Sequence, residues 1–263
     1  MNKNINTLAL KRFEGQVVIV TGAGSGIGEA TARRFSEEGA SVVLAGRHRD
    51  KLHHVAADLP ADRTLVVTTD VSRYDEVEAL VRQTVARFGA LHVLVSNAGI
   101  ATEGDVLEDK LENFTETINT NVGGVVHGAR AALPELKKTR GCIVNTASVS
   151  GLGGDWGMAF YNASKGAIVN LTHALALDHG KDGIRVNAVC PSLTLTPMTE
   201  DMQKDKTLMA KFNERIALGR PAQPGEIAAA IAFLASADAS FITGVNLPVD
   251  GGLTASNGQP PGG

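Results

Sequence analysis

The sequence has few of the residues that mark specialised classes of protein. Its 263 residues include two cysteines, Cys142 and Cys190, which exclude a disulfide-rich scaffold and offer no zinc-binding spacing. Lys and Arg total 25 against 28 Asp and Glu, so no excess of positive charge favours nucleic-acid binding. No run approaches the roughly 18 apolar residues of a membrane span, and no secretion-signal pattern opens the chain. We therefore expect a cytoplasmic protein without nucleic-acid, membrane or metal partners, whose thiols are buried and reduced.

Short β-branched runs alternate with longer helical patterns along most of the chain. Strands are predicted at 16–20, 41–44, 64–68, 91–95, 142–145, 185–189 and 245–249, and helices at about 26–38, 50–57, 73–88, 107–138, 161–179 and 224–236. Most of the strand segments are almost continuously apolar, as in strands covered by helices on both faces. The alternation predicts an α/β fold with one doubly wound, Rossmann-like parallel sheet.

A single domain is expected, because no proline- or serine-rich linker interrupts the alternation. We expect an N-terminal extension over 1–13, the Rossmann-like domain over 14–253 and a C-terminal tail over 254–263. Residues 191–220 carry two short helical patterns but no strand pattern. An insertion near the carboxyl ends of parallel strands often forms a lid over a ligand crevice, and a variable surface excursion is the alternative.

A glycine-rich turn directly follows the first predicted strand. Residues 21–28 read TGAGSGIG, with glycines at 22, 26 and 28, and an amphipathic helical pattern comes next. A turn without side chains lets the backbone approach a pyrophosphate, whose charge is favoured by the N–H groups and dipole of a helix N-terminus. Alone, such a turn indicates little more than a tight bend. After the first strand of an α/β pattern, it predicts a dinucleotide site.

The end of the second strand bears on which nicotinamide cofactor binds. A site for NAD usually places Asp or Glu about 20 residues after the glycine turn, on the adenosine ribose. Gly46 occupies that place here and Arg47 follows it, which favours the 2′-phosphate of NADP. The alternative is NAD, with Arg47 stacked on the adenine or facing solvent. Asp70, followed by Val71 after the third strand, could accept from the adenine amino group.

Three residues in the middle of the chain suit acid–base chemistry. Tyr161 and Lys165 are four residues apart on a predicted helix and therefore project from one face. A phenol has a reference pKa of about 10, and a neighbouring ammonium favours the phenolate and lowers that pKa. Ser148 follows the strand at 142–145, where its hydroxyl can donate to a substrate oxygen. Alone, Tyr-x-x-x-Lys is a common accident of sequence, so its meaning depends on the other motifs.

The order and spacing of these motifs resemble the short-chain dehydrogenase/reductase family. The resemblance covers residues 14–253 and rests on TGAGSGIG at 21–28, Asp70, SNAG at 96–99, Asn121, Ser148, YNASK at 161–165 and PSLTLT at 191–196. It implies an enzyme that transfers hydride between NAD(P) and a CH–OH group. Two positions depart from the family pattern: Ser96 stands where Asn is usual, and Ser192 where Gly is usual. Ser192 is expected to stiffen or reshape the loop on the nicotinamide side.

The resemblance implies a role for each matching residue. Tyr161 would be the general acid/base, Lys165 would bind the nicotinamide ribose and tune Tyr161, and Ser148 would hold the substrate oxygen. Asn121 would bend its helix and anchor a water that connects Lys165 to solvent. The implied cofactor site includes Tyr161 and Lys165 together with Gly22, Ser25, Gly26, Ile27, Gly28, Arg47, Asp70, Val71, Asn97, Ala98, Gly99, Pro191, Leu193, Thr194 and Thr196.

A narrower resemblance bears on the substrate. Segments 141–157, 189–193, 212–220 and 248–260 are similar to the bacterial meso-2,3-butanediol dehydrogenases, which interconvert acetoin and 2,3-butanediol, although those enzymes generally have an acidic residue at the place of Gly46. This similarity implies a small secondary alcohol or ketone as substrate. The alternatives are a sugar or polyol dehydrogenase, a 3-oxoacyl-carrier reductase and, outside the enzymes, a dinucleotide-sensing protein.

Five residues are expected at the substrate. Ser148, Val149 and Tyr161 lie where the family places side chains that face the substrate. Asp155 could accept from a second hydroxyl of a diol or sugar, and its alternative is a solvated loop carboxylate. Gln259 follows the flexible pair Asn257-Gly258, and we expect it to hydrogen-bond at the substrate site of an adjacent subunit. A terminus without a role is the alternative for Gln259.

Two predicted helices bear on assembly. In the helix over 107–138, apolar residues recur at three- and four-residue steps and predict one apolar stripe: Phe114, Ile118, Val122, Val125, Ala129 and Leu133. The helix over 161–179 has small residues, Ala163, Ala167 and Ala174, which let helices approach closely. The family resemblance implies that these helices pair across a two-fold axis, so we expect a homotetramer. Packing inside one subunit is the alternative.

Overall fold

One parallel sheet of seven strands forms the centre of the computed structural model, which describes residues 11–259. The strands are β1 (Val17–Thr21), β2 (Ser41–Gly46), β3 (Thr64–Thr68), β4 (Val93–Ser96), β5 (Cys142–Thr146), β6 (Arg185–Pro191) and β7 (Asn246–Val249). They lie side by side in the order 3-2-1-4-5-6-7, and every neighbouring pair is parallel. The strand order reverses between β1 and β4, which opens a crevice at the carboxyl edge of the sheet.

Helices cover both faces of this sheet. In the described part of the chain they are α1 (Gly26–Glu37), α2 (Arg49–Ala56), α3 (Tyr74–Phe88), α4 (Leu111–Thr117), α5 (Gly124–Thr139), α6 (Ala159–His179), α7 (Glu200–Lys204), α8 (Lys206–Arg215) and α9 (Pro224–Ala235). The predicted α/β fold is confirmed. None of the helices within residues 11–259 is long and apolar enough to cross a membrane.

The two faces of β1 show why its sequence is apolar throughout. Val18 and Val20 are buried against the side chains of α1 and α9, whereas Ile19 is buried against those of α3 and α5 on the other face. Each such burial stabilises the fold by about 1.5–3 kcal/mol. Phe13, from the predicted N-terminal extension, is also fully buried, with its ring centroid 4.6 Å from that of Phe35 in α1. Residues 1–10 of that extension lie outside the described residues.

A π-helical turn, Ile118–Gly123, joins α4 to α5 where one continuous helix was predicted over 107–138. Such a turn contains an extra residue and changes which side chains face the core. The predicted apolar stripe is therefore wrong before the turn, because Phe114 is 39% exposed while Thr117 and Asn121 are buried. After the turn the stripe is buried at Val125 and Ala129.

The predicted lid segment contains α7 and α8. Its first residues pair with Ala222, just before α9: Leu195 N–H donates to the Ala222 carbonyl, and Ala222 N–H donates to the Leu193 carbonyl, both at 2.9 Å. Strand β6 extends to Pro191, so the first residue of the segment is in the sheet. The sheet therefore runs directly into the segment that borders the crevice.

Candidate active site

The glycine turn lies at the crevice between β1 and α1. Gly22 and Gly26 have positive φ angles of 67° and 56°, which residues other than glycine rarely adopt. A Cβ on Gly28 would lie 2.2 Å from the carbonyl oxygen of Gly22, so α1 can approach β1 this closely only with glycine there. Ser25 and Ile27 line the cleft. The N-terminal turn of α1 thus borders the cleft, where its N–H groups and dipole suit a pyrophosphate.

Thr21 and Asn97 lock this turn to the neighbouring strands. The backbone N–H groups of Asn97 and Ala98 donate to Oγ1 of Thr21 at 2.9 and 3.1 Å. The Asn97 side-chain amide donates to the Thr21 carbonyl at 3.0 Å, and Oγ1 of Thr146 donates to its oxygen at 3.3 Å. The SNAG segment therefore ties together β1, β4 and β5. Asn97, Ala98 and Gly99, which the family resemblance places at the cofactor site, form part of the cleft wall.

The end of the cleft beside β2 is lined by basic side chains. Gly46 ends β2, and Arg47, His48 and Lys51 line the cleft beyond it. A Cβ on Gly46 would lie 3.5 Å from Cδ2 of Leu52, an ordinary contact distance. The packing around Gly46 therefore leaves space for a Cβ and does not by itself require glycine at this position.

Asp70 borders the same end of the cleft, together with Val71. Its Oδ1 accepts from the backbone N–H and the hydroxyl of Ser72 at 3.0 and 2.8 Å. Burial opposes ionisation of Asp70, but these hydrogen bonds and the nearby charges of Arg47 and Arg73 outweigh it and lower the pKa of the carboxyl. Asp70 is therefore a fixed, ionised hydrogen-bond acceptor facing the cleft.

Ser148, Tyr161 and Lys165 lie together at the other end of the cleft. Lys165 is buried in α6, with its Nζ donating to the Thr146 carbonyl at 2.9 Å and lying 5.5 Å from the centre of the Tyr161 ring. Ser148 precedes a short 3₁₀ turn, Val149–Gly151, that packs directly on α6: a Cβ on Gly151 would lie 2.6 Å from the Lys165 carbonyl oxygen. The fold thus brings the three predicted catalytic side chains together.

Burial dominates the ionisation of Tyr161 and Lys165. It raises the pKa of Tyr161 to about 12; the hydrogen bond with Ser148 opposes this rise and the charge of Asp155 adds to it. Burial lowers the pKa of Lys165 to about 8. From the sequence, the ammonium of Lys165 is predicted to lower the pKa of Tyr161. In the protein without cofactor, burial outweighs this effect and the pKa is raised.

Asn121 is buried in the π turn, near Ser164 of α6. Its amide nitrogen donates to the Ile100 carbonyl at 2.9 Å and to Oγ of Ser164 at 3.0 Å, and its oxygen accepts from the Ile100 N–H at 2.8 Å. A Cβ on Gly99 would lie 3.1 Å from Oδ1 of Asn121 and 3.7 Å from Nζ of Lys165. The side chains of Asn121 and Lys165 thus both border Gly99.

The start of the segment 191–220 contacts the glycine turn. A Cβ on Gly26 would lie 3.1 Å from the side chain of Thr196, so the two segments are in contact. Pro191, Thr194 and Thr196 line the cleft. Leu193 is buried and, like Gly28, is not among the residues that line it.

The predicted substrate residues are less closely grouped. Val149 follows Ser148 in the 3₁₀ turn, whereas Asp155 lies on an exposed loop and accepts a hydrogen bond from Ser150. Gln259 is exposed at the end of the described residues and does not line the cleft of its own chain. Sequence reasoning missed Ser150 and several residues that line the cleft, among them Lys51, Thr146 and Met198. Lys51 could have been found, because it lies four residues after Arg47 in a predicted helix.

Known proteins resemble the chain along nearly its whole length. The model of a family described as enoyl-(acyl carrier protein) reductase matches residues 22–254. The meso-2,3-butanediol dehydrogenase of Serratia marcescens is 55% identical over 249 residues, which are 95% of this chain and 98% of that protein.

Solved structures share the fold as well. A 3-ketoacyl-(acyl-carrier-protein) reductase from Brucella melitensis, complexed with NADH, is 37% identical with a TM-score of 0.85 over 92% of this chain and 99% of that one. A gluconate 5-dehydrogenase from Burkholderia cenocepacia J2315, in complex with NADP and tartrate, is 30% identical with a TM-score of 0.89 over 94% and 98%. The chain therefore belongs to the short-chain dehydrogenase/reductase family and is an NAD(P)-dependent oxidoreductase that acts on CH–OH groups.

Proposed function

We propose that the protein interconverts a small vicinal diol and its α-hydroxyketone, such as 2,3-butanediol and acetoin, with NADP(H) as the preferred cofactor. The observation that carries this proposal is the position of Asp155 relative to Ser148. Oγ of Ser148 lies 3.0 Å from Oγ of Ser150, whose hydroxyl donates to Asp155. Ser148 suits the reacting oxygen and Asp155 suits a hydroxyl on the adjacent carbon. The identity of 55% to a meso-2,3-butanediol dehydrogenase supports the same substrate class.

The cleft fits a dinucleotide. It runs without interruption from Arg47, past the side-chain-free turn at Gly26, to Tyr161 and Lys165. The pyrophosphate would be held at the N-terminus of α1, the adenosine between Arg47 and Asp70, and the nicotinamide ribose by Lys165. When bound, NAD(P) supplies the hydride acceptor or donor, and its oxidised form adds positive charge that favours the phenolate of Tyr161.

The catalytic residues then have distinct tasks. In oxidation, ionised Tyr161 removes the proton of the substrate hydroxyl while hydride leaves the carbinol carbon. Ser148 donates to the substrate oxygen as negative charge develops there, an interaction commonly worth about 3 kcal/mol. In reduction, Tyr161 returns the proton as the general acid. Asn121 would anchor the water through which Lys165 exchanges protons with solvent.

The preference for NADP is supported by Gly46 and Arg47. The substitution Gly46→Asp has space for its Cβ, should repel a 2′-phosphate and should move the preference toward NAD. Arg47→Ala should weaken NADP binding by tenfold or more and change NAD binding little, because only NADP carries the 2′-phosphate that Arg47 would bind. Isothermal titration calorimetry with NADP and with NAD measures both dissociation constants in the variant and in the wild type. An equal loss for both would mean that Arg47 stacks on the adenine.

A sugar or polyol dehydrogenase is the second candidate function. It is favoured by the similarity to a gluconate 5-dehydrogenase, and Asp155 could accept from any adjacent hydroxyl. A carrier-protein reductase would need a basic docking surface, whereas in the lid Lys204 forms ion pairs with Glu200 and Asp201 at 3.2 and 3.0 Å. Over residues 191–220 as a whole, five basic side chains are offset by four acidic ones, a net charge of +1, so the segment has no strong excess of positive charge.

Oxidation of NADPH and NADH by the purified protein tests the substrate class. The assays compare acetoin with ketoses and sugar lactones and with acetoacetyl esters. The proposal expects the highest kcat/KM with acetoin and NADPH. A sugar or an acyl ester that reacts ten times faster than acetoin would overturn the substrate assignment, and a preference for NADH would overturn the cofactor assignment.

A homotetramer in the cytoplasm completes the proposal. Three large apolar side chains are well exposed: Leu111 on α4 at 72%, Leu177 on α6 at 83%, and Phe241, fully exposed shortly before β7. Cys142 and Cys190 are free, buried thiols, as expected in a reducing compartment. Light scattering at micromolar concentration should give four times the chain mass of 27.4 kDa. A monomeric mass would contradict this assembly.

In such a tetramer, Gln259 would reach the substrate site of a neighbouring subunit. Its side chain is exposed after Gly258, whose φ of +90° turns the chain, and it has no hydrogen-bond partner among residues 11–259, whereas its backbone N–H donates to Oδ1 of Asn257 at 3.1 Å. Gln259→Ala should raise the KM for the diol and leave cofactor affinity unchanged. An unchanged KM and an unchanged substrate preference would show that the tail has no such role.

A further inference from the structure

The loop over residues 152–158 has few contacts to hold it in place. Leu152 and Trp156 are 42% and 94% exposed. A Cβ on Gly153 or Gly157 would meet nothing within 4 Å. Backbone hydrogen bonds hold the loop only near its ends, where Gly153 N–H donates to the Val149 carbonyl at 3.0 Å and Gly104 N–H donates to the Gly157 carbonyl at 2.8 Å. Asp155 is in the middle of this loop. Its carboxylate therefore has a defined position only if a residue outside the loop holds it.

Ser150 provides this contact. It is buried in the 3₁₀ turn before the loop, with 5% of its surface exposed, and its hydroxyl donates to Oδ2 of Asp155. The side chain of Asn162 donates to the backbone carbonyl of Asp155 at 2.9 Å. Asp155 is thus fixed at both its backbone and its carboxylate, while its Oδ1 has no hydrogen-bond partner among residues 11–259.

The chemistry of the groups fixes the direction of the hydrogen bonds. A carboxylate only accepts, so the single hydroxyl hydrogen of Ser150 goes to Asp155. Oγ of Ser150 can then only accept from Ser148, 3.0 Å away, while the N–H of Ser150 donates back to Oγ of Ser148 at 3.1 Å. When a substrate oxygen arrives, the Ser148 hydrogen can turn toward it, and the Ser150 N–H still holds Oγ in place.

This arrangement sets the separation of the two groups that would meet a diol. Two O–H···O hydrogen bonds of about 2.7 Å in series span at most about 5.5 Å. A molecule with oxygens on adjacent carbons can bridge such a gap, with one oxygen at Ser148 and a hydroxyl donating to Asp155. A simple secondary alcohol can occupy the Ser148 end alone.

We propose that Ser150 is a positioning residue for substrate selection, which ties the Asp155 carboxylate to Ser148 and so favours substrates with a hydroxyl next to the reacting carbon. The inference rests on the proposed function, because it places the reacting oxygen at Ser148. Ser150 is buried behind both groups and acts through them. Its loss should affect substrates according to whether they carry the second hydroxyl.

The experiment compares oxidation of 2,3-butanediol with oxidation of 2-butanol, which lacks the second hydroxyl. Ser150→Ala should lower kcat/KM for the diol by about 10- to 100-fold, mainly through KM, because a hydrogen bond to a charged group is lost. The value for 2-butanol should change less than about threefold. Ser150→Thr keeps the hydroxyl and should restore the preference for the diol. Combining Ser150→Ala with Asp155→Ala should add little to the loss in Asp155→Ala alone, because Ser150 acts on the diol through the Asp155 carboxylate.

Three outcomes separate the possibilities. An equal loss for both substrates, with no rescue by threonine, would show a merely structural role for Ser150 and overturn the inference. Fully additive losses in the double variant would overturn it as well. If the wild-type enzyme prefers a sugar to both alcohols, the proposed substrate fails instead. The role of Ser150 is then decided by kcat/KM for that sugar divided by kcat/KM for its analogue without the adjacent hydroxyl. This ratio is compared between the wild-type enzyme and Ser150→Ala.

Discussion

The two ends of the cleft are held by different kinds of contact. At the nucleotide end, backbone and side-chain groups of Thr21 and Asn97 interlock across buried strands, and Gly28 allows α1 to touch the turn. At the substrate end, Asp155 lies on an exposed loop and depends on bonds from Ser150 and Asn162. A substitution at the nucleotide end would therefore shift strands of the sheet. At the substrate end, a single substitution can alter the position of Asp155 and leave the sheet unchanged. One scaffold can therefore keep its cofactor and serve many substrates.

The largest expected effect removes the chemistry and leaves both ends intact. Tyr161→Phe deletes the group that exchanges a proton with the substrate, so kcat should fall by about 10²–10⁴-fold. The cofactor dissociation constant, measured by titration of protein fluorescence, should stay within about twofold of the wild-type value. A variant that kept more than a tenth of the wild-type activity would show that another group transfers the proton.

The second effect breaks the nucleotide end. A Cβ at Gly28 would lie 2.2 Å from the Gly22 carbonyl oxygen and 2.6 Å from the Asn97 side chain, and the backbone oxygen cannot move aside. In Gly28→Ala we expect the cofactor dissociation constant to rise by about 100-fold, or the fold to be lost. Calorimetric melting and cofactor titration distinguish these two results. Normal affinity and a normal Tm would contradict the close packing that sets this end apart.

The third effect is electrostatic and concerns the substrate end. Burial raises the pKa of Tyr161 most and the charge of Asp155 raises it further, so Asp155→Asn should lower it. Oxidation needs the ionised phenol, and its rate should therefore begin to rise at a lower pH in the variant. Reduction needs the protonated phenol, and its rate should begin to fall at a lower pH too. Profiles of kcat/KM against pH measure both, and a shift to higher pH would contradict the sign.

The smallest effect is the matched control for Gly28. A Cβ at Gly153 would meet nothing within 4 Å, and Gly153 is not among the glycines with positive φ. Gly153→Ala should therefore change Tm by no more than about 3 °C, which corresponds to about 1 kcal/mol in a protein of this size. Cofactor affinity should not change. A loss as large as that of Gly28→Ala would mean that the loop is as tightly packed as the glycine turn.

Residues whose neighbours are set by regular geometry could be predicted from the sequence. Tyr161 and Lys165 share a face because they are one helical turn apart, and continuous apolar runs identified the buried strands. The π turn could not be predicted, because Ile118, Val122 and Val125 continue an apparent α-helical period through it. The contact between Ser150 and Asp155 depends on the conformation of a glycine-rich loop, for which the sequence has no periodic signal.

The π turn makes the length of its segment as important as its composition. Each residue of an α-helix advances about 100° around the axis, so the extra residue in Ile118–Gly123 sets the phase of Asn121. Deleting one residue would allow a regular helix but would turn this amide away from Ser164, whose hydroxyl donates to the Tyr161 carbonyl at 2.7 Å. A single-residue gap here would thus misalign the centre without replacing any catalytic group. A chain that aligns with this one but lacks one residue in the turn is therefore expected to be inactive, even if every catalytic group is present.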